Sequence, residues 1–193
     1  ECLTGIDHVS LDVIQSEISV ERFDGGIKGM VYCPGTINLK PFRSLSIEDF
    51  REDWEVNFLG AVKSLKTLLP KIKESRGSIV LFSTVAVQMG MPFHASIGSA
   101  KAAIEGLTKS LAAELAPNVR VNCIAPSLTD TPLTERLLSS EERRKASADR
   151  HPIGRVGKAE DIAQMACFLL SEQSSWITGQ IIGVDGGLST LRV

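Results

Sequence analysis

Apolar runs of strand length alternate along this chain with amphipathic segments of helix length, a pattern that predicts a parallel sheet covered by helices. His8–Val13 reads as a short strand, and Gly29–Cys33 as a second that ends at the turn Pro34-Gly35. Ser46-x-x-Asp49 reads as a helix start of the capping-box kind, with Asp in place of Glu. The helix it opens runs to about Glu74, with a break or kink near Asn57 and a disturbance at Pro70. Ser78–Ser83 is an unbroken apolar run of the fully buried kind. The clearest helix spans about Ser96 to Ala116, where Ile104, Leu107, Leu111 and Leu115 form one stripe at helical spacing. Beside it lies a stripe of small residues, Ala103, Gly106, Ser110 and Ala113, which fits either a subunit contact or simple helix propensity. Val119–Ala125 is the next strand and Ser139–Arg150 a charged, solvated helix. Asp161–Ser171 is amphipathic with Ile162, Met165, Ala166, Leu169 and Leu170 inward, and a last strand ends at the glycine-rich Gly183–Gly187.

Composition narrows the class without changing the pattern. A chain of 193 residues with 43% hydrophobic and 23% charged residues fits one soluble globular domain, assigned to residues 1–193. A formal net charge of -2 gives no reason to expect nucleic acid or an anionic membrane as partner. No apolar run approaches the ~18–20 residues needed to span a bilayer. Cys2, Cys33, Cys123 and Cys167 lack CxxC spacing, so buried thiols in a reducing, cytoplasmic setting are expected. No metal site is expected. Glu1-Cys2-Leu3-Thr4 carries neither an initiator Met nor a basic region followed by an apolar stretch, which predicts a start downstream of the true one and no secretory signal.

Candidate chemistry comes from order and spacing. Thr84 at the end of the buried strand is followed thirteen residues later by Ile97 and, four further on, by Lys101. Around them stand Tyr32-Cys33-Pro34-Gly35, Val56-Asn57-Phe58-Leu59-Gly60, Gly77–Thr84, Lys101–Ala112, Asn122-x3-Pro126 and Thr178-Gly179-Gln180-x4-Asp185-Gly186-Gly187. From about Asp12 to Gly187 these segments resemble, in order, the motifs of the short-chain dehydrogenase/reductase family. The group closest in pattern includes 3-oxoacyl-carrier-protein reductases and sugar or steroid dehydrogenases.

The resemblance implies a doubly wound, Rossmann-like α/β domain that binds NAD or NADP and transfers hydride to or from a small carbonyl or alcohol. It also implies a homodimer or homotetramer. In that family a serine, a tyrosine and a lysine act together, the tyrosine exchanging a proton with the substrate oxygen. Carried over, Thr84 would hold the substrate oxygen, Lys101 would bind the nicotinamide ribose, and Asn57 would hold a water beside the lysine. Gly35, Pro126 and Thr131 would border the cofactor. Three departures stand out. The glycine-rich phosphate turn that opens the family's fold has no counterpart here, since Gly25-Gly26-x2-Gly29 precedes a strand and reads as a loop. The chain thus enters the fold about two βα units late. Ile97 occupies the tyrosine position and has no proton to give. Tyr32-Cys33 replaces two asparagines, and Ser127 replaces a glycine after Pro126. His94 is a candidate substitute acid, read first as a loop histidine, and Tyr32 reads as packing.

Three readings follow. The first is an NAD(P)-dependent oxidoreductase whose turnover is weak unless a substitute acid is well placed. The second is a catalytically silent homologue that binds a nucleotide or partner, or completes an oligomer. The third is a fragment of a longer enzyme.

Overall fold

A computed structural model describes residues 7–16 and 18–192. Four parallel strands form the main sheet: β1 (Gly29–Val31), β2 (Ser78–Phe82), β3 (Arg120–Pro126) and, beyond a two-stranded pair, β6 (Ile181–Val184). The pair is β4 (Thr129–Asp130) with β5 (Gly157–Lys158). The sheet order is β1-β2-β3-β6, with Met30 opposite Ile79, Leu81 opposite Cys123, and Ile124 opposite Ile182.

Because side chains alternate across a strand, β2 feeds two cores at once. Ile79 and Leu81 face one side, packed with Met30, Leu65, Ile72, Ile104, Leu115 and Val121. Val80 faces the other, with Ile124, Ala166 and Leu169. The first core is covered by α2 (Gly60–Glu74) and α4 (Ala95–Leu115), the second by α6 (Ala159–Leu170). Helices on both faces of a parallel sheet make the doubly wound α/β arrangement that the alternating pattern predicts. Buried polar groups tie the last strand in place. The Asn122 side chain, fully buried, donates to the Ile177 carbonyl (2.9 Å) and accepts from the Gln180 N–H (3.1 Å).

Several expectations are corrected. Residues 8–13 form no strand. They are unpaired, and Asp12 instead accepts the Ile14 N–H (2.8 Å) in a local turn. Cys33 and Cys167 are exposed residues, although the Cys33 side chain is partly desolvated at the cleft wall, and Cys123 is the buried one. Cys2 lies outside the described residues. Pro70 sits inside α2 without ending it. The capping box forms as read, Ser46 and Asp49 bonding each other's backbone N–H at the start of α1 (Ile47–Trp54). Between α1 and α2 the chain makes a π-helical turn over Glu55–Leu59, which is the physical form of the irregularity expected near Asn57. No helix of the described residues is long and apolar enough to cross a membrane.

Candidate active site

The C-terminal ends of the parallel strands open into a cleft of about 580 Å³. Crevices at this end are where open α/β sheets bind their ligands, because the loops diverge there and leave backbone and side-chain polar groups facing one space. Gly35, Asn57, Thr84, Ile97, Lys101, Pro126 and Thr131 all line this cleft.

Each is placed by a local cause. Thr84 leaves β2 and caps the short helix α3 (Val85–Met89), its hydroxyl oxygen accepting the Ala86 N–H at 3.3 Å. Its O–H is left to donate into the cleft. The neighbouring Ser83 also lines the cleft, but its O–H is taken up in donating to Glu105 Oε1 at 2.6 Å. Ile97 and Lys101 are one turn apart on α4, so both project toward the same side. Ile97 is buried and presents only methyl and methylene groups to the cleft.

Lys101 is the electrostatic centre. Among the described residues its Nζ has no hydrogen-bond partner and no carboxylate within ion-pair distance. Burial pushes its ammonium down to about 8, against the opposing pull of Cys123, Asp53 and Cys33. Burial also raises both thiols, Cys123 to about 12, so Asp53 is the carboxylate that attracts Lys101 at neutral pH.

Asn57 sits in the π turn. Its amide N–H₂ donates to the Asp53 carbonyl and to Thr36 Oγ, both at 2.9 Å, while its Oδ1 is buried without a partner. Asp53 is fully buried as well: Oδ1 accepts from Thr36 (2.7 Å) and Asn38 (3.2 Å), and Oδ2 has no partner. A methyl group on Gly35 would stand 3.1 Å from Asn57 Oδ1 and 3.9 Å from Lys101 Nζ, in the space between them. An unpaired buried acceptor beside an unpaired, half-buried cation, with a glycine leaving the gap open, fits a hydroxyl-rich ligand group such as a nicotinamide ribose. A glycine turn that would cradle the pyrophosphate is not among the described residues, where Gly25 and Gly26 lie in a bend before β1.

Other groups in the cleft escape sequence reasoning. Asp53, near the end of α1 behind the cleft residues Thr36 and Asn57, carries no motif. Ser127 and His151 come together from opposite ends of the Leu128–Arg150 excursion, with Ser127 Oγ 2.7 Å from His151 Nε2. His151 Nδ1 is 2.7 Å from the Ser147 carbonyl. Both residues line the main cleft and also a smaller cavity of about 220 Å³ shared with Arg155, Asp161 and Asp185. The replacement of a glycine by Ser127 was the one signal, and nothing in the chain pairs it with a histidine 24 residues on. His94 also lines the cleft, its Nδ1 at 2.8 Å from the Pro92 carbonyl. Tyr32 is buried away from this chemistry. It donates to the Val56 carbonyl (2.6 Å), and burial pushes its phenol up to about 12.

A protein-family model described as enoyl-(acyl carrier protein) reductase matches residues 14–189. A 3-oxoacyl-(acyl-carrier-protein) reductase FabG of Thermotoga maritima is 43% identical over 143 residues, which is 71% of this chain and 57% of that protein. A tropinone reductase homologue of Arabidopsis thaliana is 38% identical over 86% of this chain and 64% of its own length. Among solved structures, a short-chain type dehydrogenase/reductase from Mycobacterium ulcerans superposes with a TM-score of 0.82 at 34% identity, covering 90% of this chain and 64% of that one. A gluconate 5-dehydrogenase from Burkholderia cenocepacia, in complex with NADP and tartrate, gives 0.83 at 26% identity over 89% and 68%. The chain thus spans little more than half to two thirds of the length of these curated relatives.

Proposed function

Since the chain belongs to the short-chain dehydrogenase/reductase family, in its FabG-like group, we propose that it is the catalytic portion of an NAD(P)-dependent oxidoreductase acting on a small carbonyl or alcohol. The observation that carries this reading is the convergence of Thr84, Lys101 and the unpaired Asn57 Oδ1 on one cleft at the strand ends. The names of the relatives favour it over the catalytically silent alternative.

Lys101 and Asn57 would hold the nicotinamide ribose, one as donor and one as acceptor, with Gly35, Pro126 and Thr131 bordering the ring. NAD or NADP, when bound, supplies the hydride. Thr84 donates its free O–H to the substrate oxygen and fixes the carbonyl against the cofactor. Ile97 gives no proton, and general acid catalysis is worth ~10²–10⁴-fold, so turnover depends on whether another group delivers one. The exposed Gly106, Ser110 and Ala113 leave a low-relief face on α4, and a Cβ on Gly106 would meet nothing within 4 Å. That face supports assembly as a homodimer or homotetramer.

The test is direct. Purified full-length protein is titrated with NADH and NADPH by fluorescence, then assayed for loss of reduced-nicotinamide absorbance with an acetoacetyl thioester and with a cyclic ketone. Saturable binding plus turnover that Lys101→Met and Thr84→Val each reduce supports the reading. Absence of binding to both nucleotides overturns it.

A further inference from the structure

We propose that Ser127 and His151 form a proton relay into the cleft, delivering to the substrate oxygen the proton that Ile97 cannot supply. The inference rests on the oxidoreductase reading above and deepens it.

Hydrogen-bond partners decide the tautomer. The Ser147 carbonyl can only accept, so His151 Nδ1 carries a hydrogen and donates at 2.7 Å. In the neutral ring, Nε2 is then a bare acceptor, and the Ser127 O–H points at it at 2.7 Å. In the protonated ring Nε2 donates instead, and the Ser127 O–H is released to donate elsewhere. The pair therefore has two states, one with the serine proton held and one with it offered. This is the nucleophile–base–orienter chain of activated hydroxyls, with a carbonyl as the orienting group.

The offered proton points into the right space. Ser127 follows the last residue of β3, and the Ser83 N–H donates to the Ile124 carbonyl at 2.8 Å, so the β2–β3 register continues to the strand ends. Thr84 leaves the sheet two residues after Phe82, at the same end where β3 finishes at Pro126. The hydroxyls of Thr84 and Ser127 thus border the same cleft from adjacent strands. His151 is 5% exposed, held by α5 (Glu141–Ala148) through Ser147, and it also lines the second cavity, which gives its ring a polar route outward.

In the reduction direction, NADH or NADPH when bound would supply the hydride to the carbonyl carbon, and the C=O π pair would become an oxygen lone pair. That oxygen takes the Ser127 Oγ proton, Ser127 Oγ takes the His151 Nε2 proton, and His151 is left neutral with Nδ1–H intact. Oxidation of an alcohol runs the same transfers backwards. The charged groups around the imidazole are Asp185 beyond β6, Arg155 and Asp161 across the smaller cavity, and Arg150 and Lys101 in the cleft. Asp185 is held as a carboxylate against the cost of its burial by the N–H groups of Ser189 and Gly187, both at 2.9 Å, and by His151 itself.

The experiment uses full-length protein with NADH or NADPH and the acetoacetyl thioester, alongside ¹⁵N-histidine NMR without cofactor. Ser127→Ala and His151→Gln should each lower turnover about 100-fold with nucleotide affinity unchanged, and the double variant should be no worse than either. Reduction should fall as pH rises through the imidazole's NMR midpoint, and Ser127→Ala should move the Nε2 resonance. Turnover within two-fold of wild type in Ser127→Ala, or a flat Nε2 shift, overturns the relay and leaves the oxidoreductase reading standing. No nucleotide binding by the unsubstituted protein overturns that reading and the relay with it.

Discussion

Lys101→Met should stabilise the ligand-free protein at neutral pH, against the usual expectation for a buried site residue. Taking an ammonium from its ordinary value of 10.5 to about 8 corresponds to roughly 3 kcal/mol, at about 1.36 kcal/mol per pH unit. The sign follows from proton counting. Below pH 8 both folded and unfolded chains hold the proton, and the folded state bears the whole cost of burying it. Between pH 8 and 10.5 the folded state releases it first, so the stability of the unsubstituted protein rises with pH through that window. The gain from methionine, roughly 3 kcal/mol at about pH 7, should fall to roughly 1.4 kcal/mol by about pH 9.5. Asp53 loses its nearby cation in the variant, so the measured gain lies below that ceiling. Methionine fills similar volume and leaves no large void. Urea unfolding of both proteins at the two pH values reads the difference. A variant less stable than the parent at both pH values would refute the inference that the Lys101 charge costs more in desolvation than its neighbours return.

Other outcomes follow from the same geometry. In the Ser127→Ala background, Ile97→Tyr places a phenol in the cleft one turn from Lys101 and should restore carbonyl reduction by ~10²-fold or more, the usual worth of a positioned general acid, read in the absorbance assay; unchanged turnover with cofactor bound would count against this. Gly60→Ala sets a methyl onto Tyr32 Oη and disturbs its hydrogen bond to Val56, so it should cost about 2–3 kcal/mol, and Tyr32→Phe should recover most of that loss in the same thermal melt. Ser46→Ala removes one arm of the capping box on α1 and should cost about 1 kcal/mol in urea unfolding, with no effect on nucleotide binding. A fully retained midpoint there would mean Asp49 alone carries the cap.

The strand–helix alternation, the parallel sheet and the order of its motifs were legible in the chain, because hydrophobic period and turn chemistry are local properties. Apolar β2 could only be a fully buried strand, and Ser46-x-x-Asp49 could only help by opening a helix. Ile97 was visible as a missing proton for the same reason: its chemistry is its own. The stretch 8–13 misled, since apolar content predicts a strand only if a neighbour pairs with it, and pairing is not written locally. Cys33 and Cys167 misled likewise, exposure being set by what packs over them. Tertiary structure alone decided that Asp53, on α1, and Asn57, in the π turn, would be buried with unpaired oxygens, because burial is set by what packs over them. The order of the motifs already implied one cleft for Gly35, Thr84, Lys101 and Thr131, but the fold alone brought His151 to Ser127 across 24 residues. Residue identity specifies what a group can donate or accept, and only the folded chain specifies which groups share a space from which water is excluded.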